Sequence, residues 1–209
     1  DIWQRGFAYT NVGNDQYTVD RFKYQKSGAM VHSIDKTTNA PSDSTAVYSM
    51  KVDCTTADAS IGVSEYALIN HLIEGYRFRK IKGKTFTLKF RVKATKTGTY
   101  CIAFKNIDDT RNFVAEYTIN VSDVWETKSI TVTHNTTGTW NYENGIGLQV
   151  NWVLACGTTF QTTAGSWQAG NKFATANQVN ACDNVANDFS LTDIQLVEGS
   201  EDIPFEHVM

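Results

Sequence analysis

The chain has 209 residues, 41% of them hydrophobic and 20% charged, a composition that excludes an intrinsically disordered protein. Its 19 basic and 22 acidic residues give a formal net charge of −3, which excludes the strong positive field of a nucleic-acid-binding protein. No apolar run approaches the roughly 18 residues of a membrane span, and the start DIWQRG does not resemble a signal peptide. We expect residues 1–209 to form a single domain.

Alternation of apolar and polar residues predicts β-strands along most of the chain. The clearest strand covers residues 85–93, and strands over 100–104 and 113–121 follow it, so we predict an antiparallel meander of these three. Further strands are predicted over 129–133 and 146–154. The last strand changes phase near Thr192 and Asp193, which predicts a bulge, with the N-terminal strand as its neighbour. Strands with one apolar face each predict an all-β fold, a jelly-roll-like sandwich of two antiparallel sheets.

Three segments depart from this alternation. Residues 60–82 contain apolar residues at helical spacing, followed by a turn-like stretch, and we predict a strand plus a helical turn. Residues 36–44 and 158–188 are rich in Thr, Ser, Asn, Gly and Ala, which predicts long surface loops that carry function. The four cysteines are far apart in sequence, and we favour buried, reduced thiols over a disulfide framework.

The sequence contains few residues typical of a catalytic or metal site. The best acid and base candidates are Asp53, Glu65 and Glu74 near His71, and the alternative is that these are solvated surface charges. The turn Asn106–Thr110 carries oxygen ligands suited to Ca²⁺, but it lacks the spacing of a known calcium loop, so a solvated turn is favoured. We therefore predict no catalytic residue and no cofactor, with Ca²⁺ as the one candidate ion.

Aromatic residues in two turn-rich segments predict a sugar-binding surface. An exposed ring offers an apolar face to the C–H side of a sugar, and neighbouring amides hydrogen-bond to its hydroxyls. The opposite interpretation is that each tryptophan turns inward and plugs one end of the sandwich. The predicted ligand-binding residues are Trp140, Asn141, Tyr142, Trp167, Gln168 and Asn171.

Several segments together resemble a known family in their order along nearly the whole chain. They are DIWQRG, GYRFRKIKGKTFTLKFRVK, VAEYTINVSDVWETKSITV, TTGTWNYENGIGL, TTAGSWQAGNKFATANQVN and LTDIQLVEGSEDIPFEH. The chain resembles the C-terminal domain of bacteriophage and prophage tail fibre or virion structural proteins. The residues that match are Trp3, Gln4, Arg5 and Gly6 in the opening segment and Trp140, Trp167, Gln168 and Gly170 in the two loop segments.

This resemblance implies a fold like that of galactose-binding and carbohydrate-binding modules, at the distal part of a homotrimeric fibre. It implies a virion protein, assembled in the host cytoplasm, that attaches to host-surface polysaccharide without catalysis. Two alternatives stay open. One is a carbohydrate-binding module of a polysaccharide-degrading enzyme, or such an enzyme itself, and the other is a structural domain that caps or trimerises a fibre.

Overall fold

The computed structural model describes residues 5–19, 21–200 and 204–205, and these ranges contain thirteen strands and one short α-helix. Trp3 and Gln4 of the opening segment lie outside the described residues. The helix is α1 (Gly75–Phe78), and 3₁₀ turns occupy Arg79–Ile81 and Thr158–Phe160. In chain order the strands are β1 (Ala8–Tyr9), β2 (Gln16–Tyr17), β3 (Phe22–Ser27), β4 (Val31–Thr37), β5 (Ser49–Thr56), β6 (Tyr66–Glu74), β7 (Thr85–Ala94), β8 (Gly98–Lys105), β9 (Arg111–Ile119), β10 (Glu126–Thr133), β11 (Ile146–Cys156), β12 (Trp167–Ala169) and β13 (Asp188–Glu198).

The strands form two antiparallel sheets that pack face to face. The six-stranded sheet has the order β1-β4-β5-β13-β7-β10, and the seven-stranded sheet has the order β12-β9-β8-β11-β6-β3-β2. Aromatic rings from the two sheets meet between them, as in the pairs Phe86–Phe104, 5.3 Å apart between centroids, and Phe90–Trp152, 5.8 Å apart. The predicted all-β, jelly-roll-like sandwich is confirmed.

The predicted meander is wrong at its first connection. β8 and β9 do form a hairpin, but β7 pairs with β10 and β13 in the other sheet. The turn before Gly98 takes the chain from the six-stranded sheet to the seven-stranded sheet, and Gly98 itself has a φ of +126°. Crossing is favoured because the apolar faces of β7 and β8 then meet in the core, whereas periodicity alone does not distinguish pairing within a sheet from packing between sheets.

The bulge predicted in the last strand is confirmed, while the neighbour predicted for that strand, the N-terminal strand, lies partly outside the described residues. The register of β13 against β7 shifts between Thr192 and Gln195, and Asp193 has a φ of +48°. β13 lies between β5 and β7, while the first described strand, β1, pairs with β4. The prediction of a strand plus a helical turn for residues 60–82 is confirmed by β6 and α1.

The segment 158–188 was expected at the surface, but part of it is buried. Phe173 and Ala174 pack with Leu68, Val114 and Val153 on the side of the seven-stranded sheet that faces away from the main core. This side, which we call the outer face, is therefore covered over part of its area. The cover forms because Leu68, Val114 and Val153 give that face an apolar patch that water contacts unfavourably.

All four cysteines are buried and have free thiols in the structure. Burial raises the pKa of Cys156 to about 12, which leaves its thiol uncharged near neutral pH. Within the described ranges, no helix has the length and apolar character needed to cross a membrane.

Candidate functional site

The two tryptophans predicted to face outward lie at one end of the sandwich. Trp140 is only 8% exposed and packs 5.3 Å from Phe78 and 4.7 Å from His134 between ring centroids. Trp167 lies 5.5 Å from Trp140, and its Nε1 donates a hydrogen bond to the Thr133 carbonyl at 2.7 Å. The expected exposed position of the Trp140 ring is wrong, because the ring fills the gap between the sheet ends. We call Phe78, His134, Trp140, Tyr142 and Trp167 the end plug.

The other four predicted ligand-binding residues all have partners within the chain. Asn141 Nδ2 donates to the Asn144 carbonyl at 2.6 Å, and Tyr142 stacks on Phe78 in the end plug. Gln168 Nε2 donates to the Thr163 carbonyl at 3.0 Å, and Asn171 Oδ1 accepts a hydrogen bond from Lys105 Nζ. A contact of these residues with ligand stays a prediction.

The outer face carries a row of amide side chains beside the covered patch. Gln149 and Asn151 alternate with core residues of β11, so their amides point away from the core. Asn70 Nδ2 donates to Gln149 Oε1 at 3.0 Å and to Asn151 Oδ1 at 2.6 Å. The registers of β6, β3 and β2 continue this row from Asn70 through Lys23 to Tyr17. Paired residues share a face, so Tyr17 also lies on the outer face.

An open depression of about 520 Å³ lies on the outer face at the end of the row. Two exposed aromatic rings border it, Tyr17 at 40% and Tyr76 at 52% exposure. We call this site the tyrosine depression, and its lining residues are Arg5, Tyr17, Arg21, Leu72, Glu74, Tyr76, Asn144, Gly145 and Ile146. It combines apolar ring faces with guanidinium, carboxylate and amide groups, the combination expected at the tryptophans from their sequence surroundings.

Close backbone packing brings Tyr76 and Asn144 to the same depression. The Gly75 N–H donates to the Gly145 carbonyl at 2.8 Å, which joins α1 to the turn before β11. A Cβ atom at Gly75 would lie 2.4 Å from the Glu143 carbonyl oxygen, so only glycine permits this approach. The turn itself requires glycine at Gly145, where φ is +107°. The sequence thus fixes the two segments against each other.

Charged groups in the tyrosine depression are mostly cationic. Glu74 lies 3.6 Å from Arg21 and 3.7 Å from Arg77, so one carboxylate contacts two guanidinium groups. The Arg5 guanidinium lies 4.9 Å from the centre of the Tyr17 ring. These groups are exposed and therefore available to a ligand.

A second depression of about 580 Å³ adjoins the first and shares Arg21 and Leu72 with it. Its lining includes His71 and Arg77 together with apolar residues from both sheets. Burial, and then the nearby Arg21 and Arg77, lower the pKa of His71 to about 4, so the imidazole is neutral near neutral pH. With His71 neutral, the cationic charge in this second depression comes from Arg21, Arg77 and Lys80.

The candidate acid and base residues are not brought together. His71 and Glu74 lie near one end of β6, Glu65 precedes its other end, and Asp53 lies on β5 in the other sheet. Glu65 Oε2 accepts a hydrogen bond from the Gly62 N–H at 2.6 Å, and Asp53 lies 3.0 Å from Lys51 Nζ. These contacts are the ones expected of structural and surface charges.

Two residues of the turn considered for Ca²⁺ use their side-chain oxygen atoms in contacts within the chain. Asn106 Oδ1 accepts hydrogen bonds from the backbone N–H groups of Thr110 and Arg111, and Asp109 lies 2.6 Å from Lys105 Nζ. Across the residues that the structure describes, no three His, Cys, Asp or Glu side chains are grouped to hold a metal ion.

Sequence reasoning missed both tyrosines of the tyrosine depression. Tyr17 lies in the polar stretch NDQYTVD, and Tyr76 lies between Glu74 and Arg77. An aromatic residue with charged neighbours on both sides is a signal for an exposed ring, but it does not show that the two rings meet.

No family model matches the sequence, and no curated protein matches it either. Solved structures resemble the fold. The enzymatically active domain of tailspike protein 4 from bacteriophage CBA120 superposes with a TM-score of 0.50 at 12% identity, over 90% of this chain and 21% of that chain. The chain thus spans about a fifth of that tailspike chain.

Two structures of a carbohydrate-binding module are also similar. The family 11 module of the cellulosomal cellulase Lic26A-Cel5E of Clostridium thermocellum gives a TM-score of 0.47 at 14% identity, over 92% of this chain and 96% of the module. The family 11 module from Clostridium thermocellum in complex with a β-1,3-1,4-mixed-linked tetrasaccharide gives a TM-score of 0.46 at 14% identity, over 90% of this chain and 94% of that chain. At these identities the likeness concerns the fold alone, which is an antiparallel β-sandwich.

Proposed function

We propose that the chain is a non-catalytic recognition domain of a phage tail fibre that binds host-surface glycan in the tyrosine depression. The observation that carries the proposal is the pair of exposed rings, Tyr17 and Tyr76, around a depression that also holds Arg21, Glu74 and Asn144. A sugar ring laid on a tyrosine buries C–H groups against an apolar face, while its hydroxyls exchange hydrogen bonds with the charged and amide groups.

The shape of the site indicates weak binding by each copy. The depression is open, and its polar side chains are solvated before a ligand arrives, so each new hydrogen bond replaces one to water. Sites of this kind bind in the range of about 1 mM, or about −4 kcal/mol. We propose that a homotrimer compensates, because several linked copies that engage one polysaccharide raise the effective affinity by about 100-fold or more.

The assignment to a virion rests on the sequence resemblance to phage tail fibre domains. It places the protein in the tail fibre after assembly in the host cytoplasm, with host-surface polysaccharide as its partner. The similarity in fold to a phage tailspike structure is compatible with this assignment and does not carry it.

We expect Tyr17→Ala and Tyr76→Ala each to weaken glycan binding about tenfold, because each removes one ring face from the site. The measurement is binding to an array of bacterial surface polysaccharides, followed by a titration against the best ligand. Tyr48→Ala is the matched control, since Tyr48 is a partly exposed tyrosine that stacks with Lys36 elsewhere. Full binding by the Tyr17→Ala, Tyr76→Ala double variant would place the glycan elsewhere.

We expect the domain to bind polysaccharide without cleaving it. Prolonged incubation of the purified protein with a bound polysaccharide is expected to release no new reducing ends and no unsaturated products. Release that is lost in Glu65→Gln or Glu74→Gln would instead support the alternative of a polysaccharide-degrading enzyme.

A further inference from the structure

We propose that the tyrosine depression selects acidic saccharides, those that carry a carboxylate or phosphate substituent. This inference rests on the proposed glycan function and adds the class of ligand. The charge distribution around the site carries it, together with the position of the cations beside the exposed rings.

Basic residues are concentrated at this end of the sandwich. The ten residues of 75–84, GYRFRKIKGK, include Arg77, Arg79, Lys80, Lys82 and Lys84 and no acidic residue. They form α1, the 3₁₀ turn after it and the connection to β7. Arg5 and Arg21 add two more cations in the tyrosine depression. The protein as a whole has a formal charge of −3, so this positive charge is local.

Three carboxylates balance only part of this charge. Glu74 contacts Arg21 and Arg77, Glu143 lies 3.3 Å from Arg79, and Glu198 lies 2.7 Å from Lys84. Within the described part of the chain, neither Arg5 nor Lys80 has a carboxylate at ion-pair distance. An anionic ligand in the tyrosine depression therefore meets Arg5, whose charge no carboxylate of the described residues neutralises.

Each exposed ring of the tyrosine depression has a cation beside it. The Arg5 guanidinium lies 4.9 Å from the centre of the Tyr17 ring, and that of Arg79 lies 5.6 Å from the centre of the Tyr76 ring. A sugar packed near either ring brings a carboxylate or phosphate substituent within reach of a guanidinium group. Arginine pairs with both anions through two parallel N–H···O hydrogen bonds, which are stronger than those to a neutral hydroxyl.

A neutral saccharide does not gain this contribution. Its hydroxyls form ordinary hydrogen bonds with the same groups, and these replace hydrogen bonds to water with little net gain. We therefore expect acidic ligands to bind about tenfold more tightly than neutral ligands of the same backbone, a difference that corresponds to one charge-assisted contact.

The first test uses the intact domain and an array of bacterial capsular and O-antigen polysaccharides, both neutral and acidic. The best acidic ligand is then compared with its carboxyl-reduced form and with its dephosphorylated form, which separates the two sources of charge. We expect one of these treatments to weaken binding about tenfold. We also expect a rise in NaCl from about 0.05 to about 0.5 M to weaken binding of the untreated ligand more than binding of the treated one.

The outcomes separate the two proposals. Equal binding to neutral and acidic glycans, or no effect of either treatment, overturns the selectivity but leaves the proposed glycan function intact. An array without any bound glycan contradicts the proposed function itself.

Variants then assign the selectivity to particular side chains. We expect Arg5→Gln and Arg21→Gln each to reduce binding of the acidic ligand several-fold or more and to reduce binding of a neutral ligand by a smaller factor, while Arg21→Lys retains part of the binding. Glu74→Gln is expected to tighten binding of the acidic ligand several-fold, because this variant releases Arg21 and Arg77 from their shared carboxylate.

Lys96→Gln is the control for a general loss of positive charge. Lys96 follows the distal end of β7, away from α1, and pairs with Asp183. Thermal unfolding of every variant checks that the fold is retained. The assignment of selectivity to these side chains would be overturned if Lys96→Gln and Arg21→Gln reduced binding of the acidic ligand equally. Weaker binding of that ligand by a folded Glu74→Gln variant would also overturn it.

Discussion

Replacement of Trp140 by alanine is expected to lower the free energy of unfolding by about 3 to 5 kcal/mol, the usual cost of removing a large buried aromatic side chain. The indole is 8% exposed and contacts Phe78, His134 and Trp167 in the end plug. Its removal opens a cavity between the sheet ends that the β-strands are too rigid to close. Urea unfolding followed by circular dichroism measures the change.

The matched control is Trp125→Ala, for which we expect a loss of about 1 kcal/mol or less. Trp125 is only partly buried, and its Nε1 contacts Asn39 Oδ1 at a long 3.4 Å. Under conditions where the Trp140→Ala variant is folded, we expect its glycan affinity to be close to that of the wild type. A stable Trp140→Ala variant that has lost glycan binding would instead support the exposed-ring interpretation made from the sequence.

Acidification from pH 6.5 to 4 is expected to destabilise the fold strongly, because three histidines are held neutral. The pKa values of His32, His71 and His134 are each lowered to about 4, with burial as the largest cause in every case. In the unfolded chain a histidine has a pKa of about 6.5, so below that pH the unfolded state binds more protons and gains in stability. His32 alone is expected to cost about 3 kcal/mol by pH 4.

His32 allows this prediction to be tested residue by residue. It is 2% exposed, its Nδ1 lies 2.5 Å from the Tyr24 hydroxyl and its Nε2 lies 3.7 Å from Cys182 Sγ. The free energy of unfolding, measured by urea titration at several pH values, is expected to fall as pH falls from about 6.5, and less steeply in His32→Gln. A free energy that stays constant over this range would contradict the prediction.

The sequence predicted the strands well where one face is apolar. In β7 and β11 the residues alternate between core and polar positions, and their predicted ranges, 85–93 and 146–154, agree closely with the structure. The phase change near Asp193 predicted the bulge for the same reason. These features depend on local sequence alone.

The arrangement of the strands and loops in space could be predicted less well from the sequence. The partner of β7 depends on which sheet the next strand joins, and the alternation of apolar and polar residues does not encode that choice. The cover over the outer face depends on contacts between Phe173 and strands that lie far away in sequence. The tyrosine depression combines Tyr17 of β2 with Tyr76 of α1, which meet only through the order of β6, β3 and β2 in the sheet.

The aromatic residues show why the site predicted from the sequence differs from the tyrosine depression. Trp140 lies in a turn-rich segment with amide and aromatic neighbours, which is typical of a sugar-binding loop. A large indole is also well suited to fill the open end of a sandwich. In this chain the tryptophan is buried and the smaller tyrosines are exposed. Exposure is a property of the assembled fold, and residue type does not determine it.

The central claim is that glycan binds in the tyrosine depression, and a titration of the ¹⁵N-labelled domain with a bound oligosaccharide, followed by NMR, tests it most directly. We predict that the amide signals that shift belong to Tyr17, Arg21, Tyr76 and Asn144 and their neighbours. Shifts centred on Trp140 and Trp167, with the signals of the tyrosine depression unchanged, would contradict the account.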